Sequence, residues 1–190
     1  VTVSYLKFDV QGLTGAPASA TLKVFVPVST TTAINVRSVA DSSWTETGLT
    51  FANRPATGAT AIASPAPIAA GTTVSFDVTS LVTGSGVVSF ALDTTSSTSK
   101  SLPSREAGAN QPQLVVDTGG GTTTTPPTTP PPTTTPPPAG GPLGPVADSY
   151  VQADLPGSNF GTAAAVKVDG SPVTVSYLKF DVQGLTGAPA

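Results

Sequence analysis

The chain reads as all-β: an antiparallel jelly-roll-type β-sandwich repeat, joined to its next copy by a Thr/Pro-rich polyproline II linker. Three observations predict this. Short runs alternate apolar and polar residues with a period of two, as strands half-buried against a core do. Gly, Pro, Ser, Thr and Asn separate the runs, and no stretch carries about ten residues of capped helical periodicity. Residues 1–18 and 173–190 are the same string, VTVSYLKFDVQGLTGAPA, an internal repeat whose second copy opens at residue 173.

Each element follows from its own pattern. In the first run Leu6, Phe8 and Val10 alternate with Tyr5, Lys7 and Asp9. In the second, Ala20, Leu22, Val24 and Val26 alternate with Thr21, Lys23, Phe25 and Pro27. Further strands are predicted at 33–39, 74–78, 87–93 and 113–117, then at 150–153 and 164–169. Residues 79–83 allow one helical turn at most. Strict alternation predicts a core of Leu6, Phe8, Val10, Leu22, Val24, Val26, Val74, Phe76, Val78, Val88, Phe90, Leu92, Leu114 and Val116, and turns Lys7 and Lys23 outward.

A sharp change of composition divides the chain. Residues 122–138 are nine Thr and eight Pro, with glycines on both sides. Proline at this density removes backbone donors and favours polyproline II, which at about 3.1 Å per residue spans roughly 50 Å. Thr clustered with Pro is also a composition that carries O-glycans. The division is therefore a sandwich module lacking its first two strands at 1–117, a linker at 118–142, and the first strands of the next identical module at 143–190. The expectation is a window slightly longer than one period of a tandem array, with the complete module formed by residues 144–172 followed by residues 1–117. Strands 150–153 and 164–169 are then expected to pair with strands of the 1–117 kind from the following repeat or a neighbouring molecule. The linker, its φ angles already fixed, is expected to pack along a folded module.

Composition removes whole classes of function. There is no Cys and no His, so thiolate and imidazole metal sites, Ser-His-Asp and Cys-His nucleophiles and disulfides are all excluded. Net charge is −3 with no Lys/Arg cluster, which argues against nucleic acid as a partner. No apolar run is long enough to span a membrane. The carboxylates stand mostly at strand ends and turns, where Asp shapes the backbone, and no base or nucleophile accompanies them, so the chain is not expected to be an enzyme.

Six blocks in order carry a resemblance: ADSYVQADLPGSNFGTAAAVKVDG, VSYLKFDVQGL, ATLKVFV, SSWTETGLTFANRP, VSFDVTSLV and SREAGANQPQLVV. Their order and spacing resemble the DNRLRE domain family, across essentially all of the chain except the linker. The resemblance implies a carbohydrate-binding-module-like sandwich and an extracellular or cell-surface location. Such modules serve both as glycan binders and as structural repeats, so it does not choose between them.

Four groups of residues stand out. Trp44, the only Trp, is a core or rim plug, or else a platform for a sugar ring. Glu46 and Arg54 are expected to pair and fix the long loop around Trp44. Arg105 and Glu106, between a strand end and a Gly-containing turn, bridge loop backbone or contact a glycan. Asp148, Asp154 and Asn159 lie in a Gly- and Ser-rich stretch and form a candidate calcium site, against the alternative that they are turn residues only; calcium is the one cofactor the sequence suggests.

Two functions remain. The first, which exact repetition favours, is a structural repeat of an extracellular filament or stalk whose partners are copies of itself. The alternative is a glycan-binding module repeated for avidity, with extracellular polysaccharide as partner.

Overall fold

The computed structural model describes residues 2–13, 15–118, 142–170 and 173–181. The Thr/Pro segment at 122–138, with its expected polyproline II geometry and packing, lies outside them.

Among the described residues eleven strands form: β1 Thr2–Val10, β2 Ser19–Val26, β3 Ile34–Val39, β4 Thr57–Ala63, β5 Thr72–Asp77, β6 Gly86–Thr94, β7 Lys100–Pro103, β8 Gln113–Asp117, β9 Ala147–Gln152, β10 Ala165–Gly170 and β11 Val173–Asp181. The single helical turn expected near residue 80 is a 3₁₀ turn at Thr79–Leu81, and a second one runs from Arg105 to Asn110. Two strands escaped the pattern. β4 is a run of small residues at the end of its sheet with no alternation of burial, and β7 is a four-residue end strand closed by proline.

The strands form two sheets. The larger has the order β4-β3-β6-β1-β11-β10-β7, with β9 paired to β11, and the smaller is β5-β2-β8. All pairs are antiparallel except β1 with β11, which run parallel and in register, so that Tyr5 faces Tyr177 and Asp9 faces Asp181. The two copies of the repeated string thus lie side by side. β10 pairs with β7, and β9 with β11, all within one chain.

The core lies between the sheets. Phe8, Val10, Leu22, Val24, Val26, Val74, Phe76, Val78, Phe90, Leu92, Leu114 and Val116 are buried, as alternation predicts, with Ile34, Val36, Leu102, Val166 and Val168 beside them. Val88 is half-buried at the margin, and the Leu6 side chain lies outside the described residues. Phe8 and Phe90 meet edge to face, centroids 5.1 Å apart, at the centre.

The outward turn of Lys7 is corrected. Register does place it opposite Phe8, yet only 6% of it is exposed. The far face of the large sheet is not open to water. The connection from β3 to β4, residues 40–56, folds over it and forms a second cluster with Val39, Trp44, Leu49, Ala91, Ala147 and Val151. Alternation specifies which face a residue takes; it does not say what covers that face.

Candidate functional site

Three features can hold a ligand or fix the surface that does. The first is the Trp44 loop. The indole is buried and donates Nε1–H to Ser89 Oγ at 3.2 Å, and the Ser42 hydroxyl reaches the same Ser89 oxygen at 2.7 Å. Lys7 Nζ donates to the Trp44 carbonyl at 3.4 Å and stands 5.6 Å from the ring centroid. Trp44 thus plugs the far face of the large sheet. Beside it opens a cavity of about 260 Å³ lined by Asp41, Ser43, Trp44, Gly48, Asn53 and Pro55. Asp41 Oδ1 accepts the Ser43 backbone N–H at 2.8 Å, and hydrogen bonding to Ser43, its side chain first and then this N–H, holds the Asp41 carboxyl below the usual range.

The second feature is a carboxylate–arginine cluster under the same loop. The expected Glu46–Arg54 pair does not form. Glu46 Oε2 accepts from Arg105 at 3.0 Å, while Arg54 donates to the Phe51 carbonyl and stacks on the Phe51 ring, 3.6 Å from its centroid. Proximity in sequence suggested Arg54; the fold brings Arg105 there instead. Arg105 also bonds Glu106 Oε1 at 3.1 Å, and its backbone N–H donates to Asp148 Oδ2. Glu46 Oε1 accepts the Asp148 backbone N–H at 2.8 Å.

Asp148 is 1% exposed. Burial pushes its carboxyl up to about 8; the Arg105 N–H opposes this, and the nearby Glu106 and Glu46 charges add to it. Its Oδ1 has no hydrogen-bond partner, nor has the buried hydroxyl of Ser104. Asp154, expected with Asp148, is exposed in the turn after β9. Asn159 spends its amide on the carbonyls of Glu46 (2.7 Å) and Leu49 (2.8 Å), and its Oδ1 accepts the Gly161 N–H. The carboxylates that gather round Asp148 are therefore Glu46 and Glu106.

The third feature is the outer face of β5-β2-β8. Neither hydrophobic cluster reaches it. Thr21, Lys23 and Phe25 project from its central strand, all half-buried. Lys23 lies between Ser75 on β5 and Gln113 on β8, while Phe25 faces Thr73 and extends past the end of the β2–β8 pairing. Among the described residues Lys23 forms no ion pair. An open cleft of about 400 Å³ follows the β5 edge, lined by Pro65, Pro67, Ile68, Thr72, Thr73 and Ser75. A half-buried ring on the open face, a free ammonium and a row of polar side chains suit a ligand with apolar C–H faces and many hydroxyls. Sequence reasoning placed Phe25 out of phase with the core but drew nothing from it. The signal was the shared phase of Thr21, Lys23 and Phe25.

One family model matches the chain: carbohydrate-binding module family 96, over residues 1–118. The chain belongs to carbohydrate-binding module family 96. Comparison with curated proteins returned no match, and neither did comparison with solved structures. The family 96 match spans β1 to β8, and so includes the whole small sheet and the Trp44 loop, but stops short of Asp148. Among the described residues no helix is long and apolar enough to cross a membrane.

Proposed function

We propose that the chain is an extracellular glycan-binding module, non-catalytic, whose ligand lies across the outer face of β5-β2-β8. The observation that carries the reading is the family 96 match over residues 1–118, within which this sheet face is one that no hydrophobic cluster covers. Phe25 offers its ring to a sugar's C–H face, and Lys23, Ser75 and Gln113 offer donors and acceptors to its hydroxyls. The cleft along β5 would extend the contact to a further residue of the glycan.

The sequence balance, which put a structural filament first, is reversed by the family match. Repetition still supports a scaffold role alongside binding. Residues 1–18 recur unchanged at 173–190, and modules of this kind in a row, in the manner of DNRLRE-domain repeats, would raise avidity without any new contact. Affinity electrophoresis of the full chain through gels containing neutral or uronic-acid polysaccharides tests the reading. Retardation by at least one glycan is expected. Mobility unchanged in every gel would leave the scaffold role alone.

A further inference from the structure

We propose that Glu46, Glu106 and Asp148 hold a structural calcium ion that ties the Trp44 loop to β9. One carboxylate oxygen from each lies within 4.8 Å of the others. A set of carboxylates completed by water suits Ca²⁺, which takes six to eight oxygens in flexible geometry, better than Mg²⁺, which demands a near-ideal octahedron.

Charge points the same way. Three carboxylates face a single guanidinium, Arg105, which bonds Glu46 and Glu106. That leaves acid in excess at a place where Asp148 is 1% exposed. An independent observation points to a ligand. Asp148 Oδ2 receives the Arg105 N–H, but Oδ1, equally buried, receives nothing from the protein. A buried carboxylate oxygen with no donor is costly unless a proton, a cation or a water meets it. The hydrogen bonds already present do not fill the site. Glu106 uses Oε1 on Arg105, which leaves its Oε2, and each Glu46 oxygen keeps a second lone pair after accepting one donor. The Glu106 side chain is 30% exposed, so the site has a route to solvent and room for water to complete six to eight oxygens.

The ligand set spans elements far apart in sequence: Glu46 from the β3–β4 connection, Glu106 from the 3₁₀ turn after β7, and Asp148 from β9. An ion there cross-links all three, and stabilises the folded chain by its preference for that state. It would act on stability, so its test is separate from glycan binding.

The experiment is thermal unfolding of the chelator-treated full chain with added CaCl₂ or MgCl₂. With Ca²⁺ at about 100 times its Kd, Tm should rise by about 5 °C or more, with a clearly smaller rise from Mg²⁺. Asp148→Asn should abolish the response. Glu106→Gln, at an exposed side chain that folding tolerates, should raise the Ca²⁺ concentration for half-maximal effect about tenfold. Asp154→Asn should leave it unchanged. No response of the wild-type chain to Ca²⁺, which is the outcome if a water or a proton satisfies Asp148, would overturn the proposal. So would an equal response to Mg²⁺, or a wild-type response in Glu106→Gln.

Discussion

Glu46 accepts the backbone N–H of Asp148 at 2.8 Å across 102 positions of sequence, and so pins the Trp44 loop to β9. With its second oxygen on Arg105, Glu46 joins the β3–β4 connection, the turn after β7 and β9 in one network. Asn159 reinforces the link from the other side by donating to the Glu46 carbonyl at 2.7 Å.

Breaking this junction should cost more than its exposure suggests. Glu46→Ala removes the acceptor for Arg105 and leaves the Asp148 N–H without its partner, which should destabilise the fold by about 2 kcal/mol. Arg54→Ala removes an exposed stack on Phe51 and a hydrogen bond to its carbonyl, and should cost about 0.5–1 kcal/mol. Urea unfolding of both variants decides between Arg105 and Arg54 as the partner of Glu46. Equal losses would restore the pairing suggested by sequence proximity.

Trp44 should behave as a plug. Trp44→Ala opens a hole in the cluster on the far face of the large sheet, at a cost of about 3–5 kcal/mol. Trp44→Phe keeps most of the packing but strands the Ser89 hydroxyl's contact, and should cost about 1–2 kcal/mol. If the ring were a sugar platform, either change would weaken glycan retention while leaving the midpoint of chemical unfolding where it was. The plug reading requires the reverse for Trp44→Phe.

The acid limb of stability should report on Asp77. Its Oδ1 accepts the Thr79 hydroxyl at 2.6 Å and the Thr79 N–H at 3.0 Å, and these bonds, the hydroxyl first, hold its carboxyl below 3.8. A carboxyl lowered on folding contributes stability above its unfolded value, and the contribution disappears as pH falls through the folded value. Stability of the wild-type chain should therefore fall between about pH 4 and pH 2, and Asp77→Asn should flatten that part of the curve. A curve identical in the variant would show that the Thr79 bonds do not favour the ionised form.

Much of the fold was legible in sequence because alternation acts locally. Phe8, Leu22, Val24, Phe76 and Phe90 could be assigned to the core from their neighbours alone. The misses arise where the deciding contact is distant or the segment has no phase. β4 has no alternation to read, and Lys7 is covered by a loop more than thirty positions further on. Glu46 found Arg105, not Arg54, because the partner was set by how β7 and β9 meet the loop. The calcium expectation named Asp148 but joined it to sequence neighbours, whereas Asp154 turns to solvent and Glu46 and Glu106 arrive through the fold.

The central claim is that the outer face of β5-β2-β8 binds a glycan, and calorimetric titration of a retained polysaccharide into Phe25→Ala and Lys23→Ala tests it most directly. Both side chains stand clear of the core, so both variants should unfold within about 1 kcal/mol of the wild-type chain. Phe25→Ala should weaken binding about tenfold or more through loss of ring stacking, and Lys23→Ala should weaken it by a smaller factor. Wild-type affinity in both variants would contradict the account and move the binding surface off this sheet.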